Sequence, residues 1–200
     1  MIKNWILKLA ENTNNEEITQ EMEDWFEKRL NNHISLVQKY AKKIEECYPE
    51  KFEGLIEQVE NHDASKFEEP ERTPYISISW RHKQDDYESY KTLGDLTKED
   101  ENQATLHHIT HNKHHPECWC DREEDLLNED DRDGIPDEIV DATDMPDKYI
   151  AELCSDWIAM GEELGNSAKD WADKNIGTRW DFTDEQQELI YELIDKVEEN

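Results

Sequence analysis

Apolar residues recur along most of the chain at the spacing of amphipathic helices, and in several of these stripes a metal-ligand type of residue stands at an inward position. Over residues 31–48 the apolar side chains fall at Leu36, Val37, Tyr40, Ala41, Ile44, Cys47 and Tyr48, the i, i+3, i+4, i+7 pattern that predicts a helix. His33 stands three before Leu36 and four before Val37, so it heads the inward stripe. Pro49 ends this helix, and Phe52, Leu55, Ile56 and Val59 begin another stripe whose next inward positions are His62 and Asp63. Residues 68–97, with Pro70, Pro74 and Gly94 among scattered aromatics, read as loop with short helical pieces. Within them residues 76–80 alternate like a short strand that lacks a partner.

Thr97 with Asp100 signals a helix start, and that helix should run through Ala104 and Leu106 to about Asn112. An acidic loop covers residues 121–144. Pro146 then suits a first helical turn, and Tyr149, Ile150, Leu153, Trp157, Met160 and Leu164 form the next stripe, closed by Gly165 and Asn166. Asp156, three after Leu153 and four before Met160, faces inward with them. A short helix surrounds Trp171, and Thr183 with Gln186 makes a capping box ahead of Leu189, Ile190, Leu193, Ile194 and Val197. No internal repeat and no convincing sheet emerges. The reading is a single all-α domain over residues 1–200, with a core of about 30–165 and C-terminal helices over 167–199.

Composition narrows the function classes. The chain has 200 residues, with 52 Asp and Glu against 22 Lys and Arg, a formal charge of −30. Such a body repels phosphate backbones, which disfavours a nucleic-acid polymer as partner. Acids run from Glu11 to Glu199, a whole-protein property that suits a salt-adapted (halophilic) host, where dissolved ions relieve self-repulsion. A hydrophobic share of 34% approaches the disordered regime, but seven Trp, seven Tyr and four Phe argue for a compact core. The start MIKNWILKLAENTNN is too short and too polar for a secretory or membrane segment, so no membrane partner and a cytoplasmic chain with reduced thiols are expected. Cys118 and Cys120 are too close in sequence for a zinc knuckle.

The chemistry concentrates in LHHITHNKHHPECW, where His107, His108, His111, His114 and His115 fall within nine residues. His33, the His62–Asp63 pair and Asp156 add imidazoles and carboxylates from three further segments. Isolated buried carboxylates are costly, and convergence on a divalent cation stabilises them together. Imidazole donors suit zinc, iron and nickel, and a mixed His/Asp site also accepts manganese. A separate loop, EDDRDGIPDEIVD, places Glu129, Asp131, Asp133, Gly134 and Asp137 at positions 1, 3, 5, 6 and 9 of a calcium-type loop, although position 12 is Val140 rather than Glu. Calcium there is one reading and a solvated acidic insertion the other.

The order of one His, an adjacent His-Asp, further His and a late Asp resembles the HD superfamily of metal-dependent phosphohydrolases. HDASK is similar to the HD-x-G-K element of some members, with Ser65 in place of Gly, and HHPE to the His-His-Glu of dinuclear ones. NHISLV, HDASKF, LHHITHNKHHPECW and MPDKYIAELCSDWIAMGEELG resemble successive blocks of an uncharacterised phage and bacterial family known only as a domain of unknown function. The resemblance implies an HD-like helical bundle with an acidic loop insertion. It implies one or two divalent ions held by His33, His62, Asp63 and Asp156, with His111, His114 and His115 completing that site or holding a second ion. Lys66, close to one turn beyond Asp63, would meet a phosphate oxygen. The implied activity is hydrolysis of a small anionic substrate such as a nucleotide. The alternative is a non-catalytic metal- or nucleotide-binding protein of phage or halophilic host.

Overall fold

A single long helix organises the molecule. In the computed structural model, which describes residues 17–84, 93–121, 126 and 134–198, α1 spans Gln20–Cys47, about 42 Å at 1.5 Å per residue. Thr19 caps it, accepting from the backbone N–H of Met22. The helix begins about three turns before the Asn31 at which the sequence stripe becomes visible.

Among the described residues the other helices are α2 (Leu55–Gln58), α3 (Arg72–Gln84), α4 (Lys98–His111), α5 (Asp147–Leu164), α6 (Ala168–Asn175) and α7 (Asp184–Glu198), with 3₁₀ turns at Val59–Asn61, Ala64–Phe67 and Pro116–Trp119. The fold is mostly helical, as the periodicity predicts. A two-residue parallel ladder, β1 (Val140–Asp141) with β2 (Trp180–Asp181), ties the segment before α5 to the one before α7. Strands this short carry no readable period in sequence.

The boundary residues do what the sequence predicts at several helix ends. Thr97 and Asp100 form a capping box at α4. At α7 the Gln186 side chain accepts from Thr183 N–H at 2.8 Å while Thr183 Oγ1 accepts from Gln186 N–H at 3.2 Å. Gly165 closes α5 at φ 70°, a left-handed conformation that suits glycine.

Helix α3, 13 residues long, is more continuous than the loop with short helical pieces that the sequence predicts. Pro74 through Trp80 are buried without interruption, so the helix is enclosed on several sides and shows no amphipathic period. What looks like strand alternation in residues 76–80 is two serines folded into the interior, Ser77 accepting from the Leu93 N–H at 3.2 Å.

Two apolar clusters result. One joins Val37, Ala41 and Ile44 of α1 to Phe52, Leu55 and Val59 and to the inward faces of α5, α6 and α7. The other joins Met22, Phe26 and Leu30 of α1 to Tyr75, Ile76, Ile78 and Trp80 of α3 and Ala104 of α4. Each large apolar side chain so buried contributes roughly 1.5–3 kcal/mol. Leu30 belongs to one cluster and Val37 to the other, and His33 lies on the same buried stripe between them. The polar seam at that junction holds the candidate site. Among the described residues no helix is long and apolar enough to cross a membrane.

Candidate metal centre

Four parts of the chain deliver donors to the seam: α1 gives His33, the turn between two 3₁₀ segments gives His62 and Asp63, α4 and the loop after it give His108, His114 and His115, and α5 gives Asp156. Their donor atoms form three overlapping groups, each with all members within 4.8 Å of one another: Asp63, His108, His114 and His115; His33, His62 and Asp63; and His62, His114 and Asp156. Asp63 is 1% exposed and sits at φ 58°, a left-handed backbone that Asp tolerates better than most residues. Strained conformations of this kind concentrate where a side chain must be aimed.

Distances show how tightly the donors crowd. Asp63 Oδ1 lies 3.2 Å from His108 Nε2, 3.5 Å from His114 Nε2 and 3.9 Å from His62 Nε2. His33 Nε2 is 3.0 Å from Asp156 Oδ1 and 3.8 Å from Asp63 Oδ2. The rings of His62 and His114 are 4.1 Å apart between centroids, and those of His114 and His115 4.3 Å. Yet Asp63 Oδ1 and the Nε2 atoms of His62, His108 and His115 are buried with no hydrogen-bond partner. Buried polar atoms are almost always satisfied, and these four belong to one seam.

Two buried carboxylates aim the rings. Glu152 accepts from His62 Nδ1 at 3.0 Å and from the Gln58 amide at 2.5 Å. Glu71, 0% exposed, takes His108 Nδ1 at 2.8 Å on one oxygen and His107 Nδ1 at 2.7 Å on the other. A carboxylate only accepts, so each Nδ1 carries the hydrogen and each Nε2 is left free to ligate.

Electrostatics agree with a cation-binding set. Burial pushes the Asp63 carboxyl up, but Lys66, His62 and His108 outweigh it and hold it well below the usual carboxylate range. Burial acts the same way on Asp156, and the hydrogen bond and charge of His33 bring it down to about 2. His114 and His115 are pushed well below the ordinary imidazole value, first by burial and then by neighbouring imidazoles, which keeps their lone pairs available. His62 goes the other way: burial lowers it, and Asp63, Glu152 and Asp156 together raise it more. Lys66 donates to Asp63 Oδ2 at 2.7 Å and lies over the Tyr75 ring at 4.9 Å.

The structure thus brings together His33, His62, Asp63, His114, His115, Asp156 and Lys66, and leaves His111 out. The inward stripe of α4 runs through Glu101, Ala104, Thr105 and His108, and Asn112 is its next position. His111 falls on the neighbouring, exposed face, stacked on His107, and His108 takes its place in the seam. Glu117 of the HHPE element is also apart, accepting from Trp180 Nε1 at 2.8 Å. Of the calcium-type loop, Glu129, Asp131 and Asp133 lie outside the described residues, and Asp137 is exposed.

Sequence reasoning missed Glu71, Glu152 and His108. Glu152 stands one turn before Asp156 on the same face of α5, a spacing that could have marked it. Nothing comparable marks Glu71, whose histidine partners come from 36 and 37 residues away.

A model of a family described as "Family of unknown function (DUF5662)" matches residues 22–197. No curated protein and no solved structure matches the chain.

Proposed function

Because the chain belongs to that family of unknown function, we propose its activity from the centre itself: a metal-dependent phosphohydrolase acting on a small phosphorylated substrate, with nucleotides as the class that fits best. The observation that supports this reading is the set of four buried, unpartnered donor atoms on His62, His108, His115 and Asp63, with the Lys66 ammonium beside them. Histidines kept for packing alone would leave those atoms unsatisfied at about 1–3 kcal/mol each. One divalent ion, of manganese, iron, nickel or zinc, would be held by His33, His62, Asp63 and Asp156. A second would be held by His108, His114 and His115 with Asp63 in common.

A cation bound there supplies Lewis acidity toward a phosphoryl oxygen and makes water more acidic. The chain's own groups do the rest. Lys66, fixed between Asp63 and the Tyr75 face, offsets negative charge developing on the phosphoryl oxygens. Glu71 and Glu152 hold the His108 and His62 rings in orientation. Asp156 and Lys66 keep 14% and 18% of their side chains exposed, a narrow contact with solvent that favours a small substrate. The charge of −30 works against long polyanions in the same direction.

The test is phosphate release by the purified chain from nucleoside mono-, di- and triphosphates, with each of the four metals in turn. The expected result is turnover that EDTA and Asp63→Asn both abolish. A chain that binds metal and releases phosphate from none of them would overturn the hydrolase reading in favour of a non-catalytic metal or nucleotide binder.

A further inference from the structure

Two of the three histidines that the buried centre leaves out share a geometry of their own. His107 and His111 stand one turn apart on α4 with their rings stacked, centroids 4.1 Å apart and planes within 12°. His111 is exposed, and 35% of the His107 side chain reaches solvent. We propose that His107 and His111 form a separate, solvent-facing binding site for one borderline transition-metal cation, of the zinc, nickel or copper(II) class.

The hydrogen bonds decide which nitrogens are free. His111 Nδ1 lies 2.8 Å from the His107 carbonyl oxygen, and His107 Nδ1 lies 2.7 Å from Glu71 Oε1. Both partners only accept, so both Nδ1 atoms carry hydrogen, and in the neutral rings the lone pair is on Nε2. The result is two parallel imidazoles, one helical turn apart, each held by its Nδ1–H and each offering Nε2. Metal–nitrogen bonds of about 2.0–2.1 Å require the two nitrogens to be about 3 Å apart. Rings stacked at 4.1 Å need only a slight tilt toward each other, and the exposed His111 ring is free to make it.

Paired imidazoles favour copper(II), nickel and zinc over the oxygen-seeking magnesium and calcium. Glu71 supplies the orienting carboxylate that ligating histidines commonly have. With two protein ligands and water in the other positions, the site is weaker than the buried centre. Glu71 also holds His108, so its substitution would disturb both sites, and the test avoids it.

The experiment is a nickel(II) titration of the untagged full-length protein at pH 7.5, with bound ions counted by equilibrium dialysis, on the wild type, His111→Ala and Asp63→Asn. His111 makes only local contacts, so its removal leaves the fold intact. The expected result is that His111→Ala binds one ion per chain fewer in the weak phase and keeps the tight phase, whereas Asp63→Asn loses tight binding and keeps the weak ion. Copper(II) electron paramagnetic resonance should show two nitrogen ligands in Asp63→Asn protein and fewer once His111→Ala is added. Equal weak-phase stoichiometry and affinity in wild type and His111→Ala would overturn the proposal. Absence of a tight phase in the wild type would instead count against the buried centre.

Discussion

Glu152→Gln tests whether the seam is built to hold a cation or is only packed. The glutamate accepts from His62 Nδ1 at 3.0 Å and lies 3.5 Å from His114 Nδ1, so one carboxylate oxygen faces two of the proposed ligands. An amide of the same shape can still present an oxygen to His62, but the charge that strengthens the hydrogen bond and raises the basicity of the ring is gone. Loss of such orienting partners typically costs 10–100-fold in metal affinity, about 1.4–2.7 kcal/mol. Competition against a fluorescent chelator at fixed pH measures it, with Glu162→Gln as control, since Glu162 is on the same helix but pairs at the surface with Lys39. The expected outcome is a loss of at least tenfold for Glu152→Gln and none for the control. A folded Glu152→Gln protein with affinity within twofold of wild type would refute the reasoning.

Other parts of the structure make independent predictions. Replacing Gly161 by Ala should lower the melting temperature, because a Cβ there would meet the Asn166 carbonyl oxygen at 2.8 Å; without that contact the change would raise helix stability by about 0.5–1 kcal/mol. In EDTA, stability measured by circular dichroism should fall with acid in two stages. His114 and His115, depressed first by burial and then by neighbouring imidazoles, chiefly His62 for His114 and His108 for His115, lose their contribution as pH falls below the ordinary imidazole value of 6.5. Asp156, held down to about 2 by His33 against the effect of burial, contributes on the order of 2 kcal/mol above pH 4 that disappears as pH falls toward 2; a flat profile from pH 7 to 3 would contradict both. Among the thiols, Cys47 is exposed and Cys154 buried, with burial pushing the Cys154 thiol up, so alkylation should modify Cys47 in native protein and Cys154 only after unfolding.

The amphipathic parts of the fold were legible because one face of each helix meets water. That holds for the second half of α1, for α5 and for α7, and their stripes exposed His33 and Asp156 as polar residues in apolar positions. It fails for α3, where Pro74 to Trp80 are all interior and no polar face remains to set a period. Within the histidine cluster the spacing alone allowed either His108 or His111 to face inward. The choice is made by the buried stripe beginning at Glu101, whose carboxylate is drawn inside by Arg81 at 2.5 Å, a tertiary pairing that local pattern does not report. Glu71 was illegible for a similar reason, since its role comes from residues of another helix.

The claim on which the account rests is that donors from α1, the His62–Asp63 turn, α4 with its following loop, and α5 surround one cation position. Anomalous diffraction from crystals of the protein grown with manganese measures this directly. The account predicts a peak about 2.0–2.3 Å from Asp63 Oδ1 and from Nε2 of at least one of His62, His108 and His115. A well-ordered seam with no peak there, or manganese bound only elsewhere on the chain, would contradict it.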